Sequence, residues 1–213
     1  MRTRVTLSAF VAVLAGTLAA PLGAQGVTAG VSYDWSLPVG DLKTFADNDS
    51  WLGFTLDLRK RNPTGSFTYG ALFGYYEFYR MYLTGSGTTI VFPGGALTGQ
   101  QYHHLFSFPM MLSAEYHFGD SESGVRPYLG LAAGISYLKQ TVDIGIYTVT
   151  ADAWKPAVAP EVGFSFNTAH RTQVNVHARY YLATKSDNLY ANATPGASMQ
   201  YLSIGIGLMG RVF

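Results

Sequence analysis

The fold turns on Phe106-Ser107-Phe108-Pro109-Met110-Met111-Leu112-Ser113-Ala114-Glu115-Tyr116-His117-Phe118. Phe106, Phe108, Met110, Leu112, Ala114, Tyr116 and Phe118 share one parity, and Ser107, Ser113, Glu115 and His117 share the other. Successive side chains of a strand point to opposite faces, so this stretch reads as one long strand with an apolar and a polar face.

The same alternation recurs on both sides of it. Upstream, Val27, Ala29, Val31, Tyr33 and Trp35 oppose Thr28, Gly30, Ser32, Asp34 and Ser36. Leu52, Phe54, Leu56 and Leu58 oppose Gly53, Thr55, Asp57 and Arg59, and Phe67, Tyr69, Ala71, Phe73 and Tyr75 oppose Thr68, Gly70 and Gly74. Downstream come Leu129 to Tyr137, Val158 to Phe166 opposite Lys155, Glu161 and Ser165, Val174 to Leu182 opposite Asn175, His177 and Arg179, and finally Leu202 to Leu208. That makes about eight runs. Short polar turns near Lys60 to Gly65, Gly119 to Gly124 and Asn167 to Arg171 alternate with longer loops at Pro38 to Ser50, Thr84 to Gln101, Gln140 to Asp152 and Lys185 to Ser198. Short periplasmic turns, long external loops and an even strand count are the layout of an all-β, eight-stranded antiparallel up-and-down transmembrane β-barrel of the bacterial outer membrane.

The charges check this reading, because the parity was set by apolar residues alone. Asp34, Asp57, Arg59, Glu115, Lys155, Glu161, Arg179 and Arg211 all fall on the polar face. An Arg or Lys facing lipid at the bilayer midplane costs about 2 to 4 kcal/mol, so the apolar face must be the outer one. A soluble barrel of the lipocalin kind shows the same alternation with the faces reversed, and its outside would then be Gly, Ser and Thr with very few charges. Tyr33, Trp35, Phe67, Tyr69, Tyr116, Phe118, Phe164 and Phe166 lie near strand ends on the apolar face, where aromatic girdles belong. Charged residues are 13% of the chain, against about a quarter in soluble domains.

Residues 1–24 carry Arg2 and Arg4, an apolar run from Val5 to Ala20 and the small residues around Gly23-Ala24. This is the layout of a secretory signal peptide, and the run falls short of the 18 or more residues a spanning helix wants. The mature barrel domain is then 25–213. Cysteine is absent, so the chain has no disulfide framework and no thiolate metal site. A net charge of +1 without a clustered basic face argues against nucleic acid as a partner.

At Leu37-Pro38-Val39-Gly40-Asp41, Val125-Arg126-Pro127-Tyr128-Leu129-Gly130 and the terminal Arg211-Val212-Phe213, the chain resembles the small outer-membrane barrel-domain family related to outer-membrane proteins A and X. The resemblance implies insertion among outer-membrane lipid. It also implies that Phe213 is the signal read by the barrel-assembly machinery during biogenesis. Counting back from Phe213, the alternate positions are Arg211, Met209, Gly207 and Gly205 rather than apolar residues. Either a bulge near Gly210 shifts the phase, or Phe213 points inward.

Several motifs have plainer readings. Gly205-Ile206-Gly207-Leu208-Met209-Gly210 matches a dinucleotide-binding string, but no helix follows to face a pyrophosphate; these are small inward positions of a strand. Asn192-Ala193-Thr194 is a loop sequence. His103 and His104 are neighbours on a strand and point to opposite faces, so they do not share a metal. No cofactor is expected.

The inward Asp34, Asp57, Arg59, Glu115, His117, Lys155, Glu161, His177 and Arg179 read as a paired charge network that replaces an apolar core, since an eight-strand barrel is just wide enough to be filled by side chains. Two enzyme analogies among small barrels fail on visible residues. A lipid A deacylase needs a Ser two residues after a His, whereas Gly119 follows His117 and Arg179 follows His177. A palmitoyltransferase begins with an amphipathic helix, whereas here a strand starts within a few residues of Gln25. The expectation is therefore a non-catalytic protein with a structural or surface-interaction role through its external loops. The alternative is a narrow, porin-like pore or small-ligand-binding barrel. The external ligand or surface partner is not legible.

Overall fold

A computed structural model describes residues 27–62, 66–82, 89–92, 95–119, 123–168, 172–191 and 194–211. The segment read as a signal peptide, Asn192-Ala193, and Phe213 lie outside the described residues.

Eight antiparallel strands close on themselves in the order β1-β10-β9-β8-β7-β6-β3-β2. They are β1 (Val27–Val39), β2 (Ser50–Arg61), β3 (Phe67–Tyr82), β6 (Gln101–His117), β7 (Val125–Ile144), β8 (Tyr147–Asn167), β9 (Thr172–Ala191) and β10 (Thr194–Arg211). A short hairpin of β4 (Thr89–Phe92) and β5 (Gly95–Thr98) stands apart between β3 and β6, and α1 (Asp41–Phe45) lies between β1 and β2. Closure between β1 and β10 leaves no free edge within the membrane, where an unpaired backbone group finds no water.

The alternation dictates which side meets lipid. Leu112, Leu131, Val162, Ile206 and Leu208 are each more than half exposed on the outside, while Ser107, Glu115, Ser165 and Ser203 on the opposite parity are buried. Aromatic side chains ring the belt at both ends. Tyr116 meets Phe118 edge-on with centroids 5.1 Å apart at the short-turn end. At the other end Trp35 meets Trp51 at 5.6 Å, and Tyr137 meets Trp154 at 5.0 Å. Beyond that upper girdle, Glu77, His104, Lys139 and Asp152 return to the outer face, which marks the water boundary. The long-hairpin end is the external one.

Three sequence expectations are corrected. First, the segments read as long loops are mostly strand. β7 and β8 run 20 and 21 residues, about twice the 9 to 11 that cross a bilayer, and stay paired from Val125↔Phe166 to Ile144↔Tyr147. Their hairpin turns at Gly145, whose φ of 60° is left-handed, so Gln140 to Asp152 is an extended ladder. Likewise Lys185 to Ser198 is largely β9 and β10, Thr84 to Gln101 holds the β4–β5 hairpin, and Pro38 to Ser50 holds α1. Second, β10 pairs with β1 in unbroken register through Arg211, so no bulge interrupts it near Gly210. Third, Lys155 stands away from the charge network.

Candidate functional site

The barrel's interior is layered. At the level of the membrane, Arg59 Nη1 lies 2.8 Å from the Glu115 carboxylate, and Arg59 Nη2 lies 3.2 Å from Asp57 and 3.9 Å from Glu161. Glu161 is held by Arg179, whose Nε and Nη2 are both 2.8 Å from Oε2, and by the Tyr128 hydroxyl, which donates to Oε1 at 2.7 Å. His177 Nε2 lies 2.9 Å from Asp34 Oδ1, and His117 Nε2 lies 3.3 Å from Glu115. Thr55 and Tyr76 donate to Asp34 Oδ2, Tyr76 from 3.1 Å. All of these side chains are buried. A buried charge is tolerable only when it is paired and its remaining lone pairs and protons are satisfied, and here each acid meets at least one basic side chain.

The structure thus brings together Asp34, Asp57, Arg59, Glu115, His117, Glu161, His177 and Arg179. Lys155 is on the inner parity but half-buried and apart, opposite Ser136 and six residues from Glu161, about 20 Å along the strand. Sequence reasoning missed Arg126, Tyr128, Tyr76, Tyr181 and Tyr201. Arg126 is 1% exposed and donates to the Gly119 carbonyl at the short-turn end. Its position was legible: counted back from Leu129 on the outside, Tyr128 and Arg126 are inward.

Above the charges lies a layer of tyrosines. The rings of Tyr181 and Tyr201 stack at 4.6 Å, Tyr76 packs within 5.0 to 5.2 Å of both, and the Tyr76 and Tyr181 hydroxyls share a 2.9 Å hydrogen bond. Above that the lumen is lined mainly by apolar side chains: Phe78, Leu105, Leu138, Leu189 and Met199 are fully buried, and the polar Gln101, His103 and Gln140 are buried at the same end.

Helix α1 closes the mouth, its Leu42 and Phe45 buried in this apolar cluster. Phe45 stacks on His103 at 4.6 Å, and His103 Nδ1 lies 2.9 Å from the Phe45 carbonyl. On the same side Arg80 donates to the Thr44 carbonyl and pairs with Asp47 at 3.3 Å. On the far side the Ser198 backbone N–H and hydroxyl both donate to Asp41 at 2.8 Å. These two bonds, the backbone one foremost, hold the Asp41 carboxyl below the ordinary carboxylate range. The clasp is therefore complete above the unfolded carboxylate's pKa of about 4 and is lost as the pH falls through the lower folded value.

Outside the barrel, a cleft of about 430 Å³ opens between the β5 end and the β7–β8 turn, lined by Gln100, Tyr102, Asp143, Ile144, Ile146 and Tyr147 among others. Ile146 is 91% exposed at its tip, and Tyr147 and Tyr102 are also exposed. Asp143 accepts a 2.6 Å hydrogen bond from Thr148, which braces the turn. Among the described residues no group of His, Cys, Asp or Glu is arranged to hold a metal ion.

No family model matches the chain, and no curated protein matches it. Among solved structures it is similar to Neisserial surface protein A, at 16% identity and a TM-score of 0.54, over 87% of this chain and 95% of that one. It is also similar to the attachment invasion locus protein Ail of Yersinia pestis, at 12% identity and a TM-score of 0.47, over 86% and 95%. The outer-membrane protease OmpT of Escherichia coli matches at 12% identity and a TM-score of 0.46, over 76% of this chain and 64% of that one. At such identities likeness establishes fold and not activity. The chain has the fold of the small outer-membrane barrels, and its lipid-facing belt and girdles place it in the bacterial outer membrane.

Proposed function

We propose that this outer-membrane barrel is neither a channel nor an enzyme, and that it is a plugged scaffold whose external hairpins present a contact surface to a partner. One observation carries the reading: the lumen is filled in sequence by paired charges, stacked tyrosines and an apolar cluster, and α1 lies across its mouth. The His177–Asp34 pair has the composition of a catalytic dyad, but both side chains are buried inside that filling, where no substrate reaches them. The accessible chemistry is external and largely apolar, at Ile146, Tyr147 and Tyr102. Exposed apolar clusters of this kind mark interaction surfaces.

Two measurements test the proposal. Purified protein in a planar bilayer should show no steady open conductance, and a stable open state would favour the porin-like alternative. Cells displaying the barrel should partition toward a hydrocarbon phase more strongly than cells displaying the Ile146→Asp, Tyr147→Asp double variant at equal folded surface level. Equal partitioning would remove the hairpin tip as the contact surface. The assembly role of Phe213 and removal of residues 1–24 remain part of the same proposal for biogenesis.

A further inference from the structure

Three arginines of the inner face gather at the short-turn end of the lumen, below the charge network. Arg61 ends β2, Arg126 lies at the start of β7, and Arg211 ends β10. Each has the inward parity of its strand. Arg61 follows the buried Asp57 and Arg59, Arg126 precedes the buried Tyr128, and Arg211 follows Gly205, Gly207 and the buried Met209. Around the closed barrel they stand three, three and two strands apart, so they approach the axis from three sides. An eight-stranded lumen is only as wide as the side chains that fill it, and guanidiniums aimed into it from three sides come together. Their charges do act on one another: Arg126 and Arg211 both repel the Arg61 guanidinium, and Glu115 is the acid that draws it. Glu115 is itself engaged, 2.8 Å from Arg59 and 3.3 Å from His117. Among the described residues Arg61 and Arg211 form no ion pair.

Two buried hydroxyls stand directly beside this tripod. Thr68 is the cross-strand partner of Arg61, and Ser165 is that of Arg126. Thr68 is 5% exposed and Ser165 not at all, and among the described residues neither hydroxyl has a hydrogen-bond partner. Buried hydroxyls are ordinarily bonded, so a spare donor next to each of two arginines marks a place where an acceptor belongs. Arg126, fully buried, is oriented by its bond to the Gly119 carbonyl. Arg61 is half-buried and Arg211 exposed, which leaves the approach open from the periplasmic side.

We propose that this end of the lumen binds one phosphate group, with the Arg61, Arg126 and Arg211 guanidiniums and the Thr68 and Ser165 hydroxyls donating to its oxygens. Guanidinium and phosphate form paired charge-assisted hydrogen bonds, which strengthen where protein replaces water. A dianion at the centre turns the mutual repulsion of three cations into a common attraction. A soluble periplasmic phosphate and the head of an inner-leaflet lipid both present the required oxygens.

Calorimetric titration of the folded barrel in dodecyl maltoside with inorganic phosphate tests this, against chloride at matched ionic strength. One phosphate should bind per barrel. Arg61→Gln and Arg211→Gln should each weaken binding roughly tenfold, as loss of a charge-assisted hydrogen bond does, and Ser165→Ala should weaken it severalfold. Neither of these arginines is fully buried, and heat-dependent gel mobility confirms that each variant is folded. Lys60→Gln is the control: it removes the same charge one residue away, but Lys60 has the outward parity of β2 and its loss should leave the affinity unchanged. Dihexanoyl phosphatidic acid decides the source. Binding equal to that of inorganic phosphate assigns a soluble phosphate, and binding about tenfold tighter or more, still weakened by Arg61→Gln, assigns a lipid headgroup. The proposal is overturned if the wild type takes up phosphate no better than chloride, or if Lys60→Gln weakens binding as much as Arg61→Gln does. It is overturned equally if phosphate binds only after Asp120→Asn and Glu122→Gln remove the two acids of the turn before Arg126, since the arginines would then be neutralised from within the chain.

Discussion

Glu161→Gln should lower the urea midpoint of the folded barrel by an amount equivalent to about 3 to 5 kcal/mol, the cost of stripping one partner from a buried ion pair. The side chain keeps its shape and the substitution removes only charge, so no cavity term contributes. What it leaves behind is Arg179, fully buried, with no carboxylate where Nε and Nη2 both approached one at 2.8 Å. The single amide oxygen that remains can accept from Arg179 or from Tyr128 but not serve both sites, and a third carboxylate is lost from the surroundings of Arg59. The matched control is Asp187→Asn in the external hairpin, where an exposed charge contributes about 1 kcal/mol at most. Combining Glu161→Gln with Arg179→Met should recover much of the loss, since replacing a whole buried pair is far cheaper than halving it. Equal, small shifts for Glu161→Gln and Asp187→Asn would mean that water already solvates Glu161, and the plugged lumen would have to be abandoned.

The faces of the strands were legible in the sequence because the side-chain period of a strand is 2 and the lipid tolerates no charge. Glu115, Asp57 and Arg179 could be assigned to the interior from the parity of Leu112, Leu56 and Val176 alone. Height along a strand is not encoded by parity. Lys155 and Glu161 share a face, yet one sits at the upper girdle and the other in the charge network. The external ladder was misread for a related reason. Leu129 to Tyr137 put their apolar residues on odd positions facing lipid, whereas Leu138, Val142 and Ile144 put them on even positions facing inward. Once a strand leaves the bilayer, water is outside and the core inside, so its pattern inverts. Two opposite phases joined end to end look like the absence of a pattern. The same inversion separates Tyr75 from Tyr76 and Phe78 on β3, and Phe106 from Leu105 on β6. The tyrosine layer falls at this crossing, where a side chain that is apolar along its ring and polar at its tip can join the charges below to the hydrocarbon above.

Gly205→Ala should be strongly damaging, and Gly210→Ala, five residues along the same strand, should be close to silent. The glycines of the string at 205, 207 and 210 are not equivalent once the lumen is filled. A Cβ at Gly205 would overlap Asp34 Oδ1 and press into the His177 ring, because those two side chains meet directly over the glycine's backbone. Neither can yield. Asp34 is fixed by Thr55 and Tyr76 as well as by His177, and β10 itself is pinned in register between β1 and β9 at Asp34↔Gly205 and Gly205↔His177. Overpacking alone costs roughly 1 to 3 kcal/mol, and separating His177 from Asp34 adds the cost of an unpaired buried carboxylate. At Gly210 an added Cβ meets no atom within 4 Å. Folded yield in detergent, read as the fraction with heat-dependent gel mobility, should fall severely for Gly205→Ala and hold for Gly210→Ala. The Asp34→Ala, His177→Ala double background supplies the decisive comparison, since removing both the carboxylate and the imidazole makes room for the methyl group. There the further penalty of Gly205→Ala should shrink to less than half. If it stays the same size, the backbone rather than the His177–Asp34 pair is what requires glycine at this position.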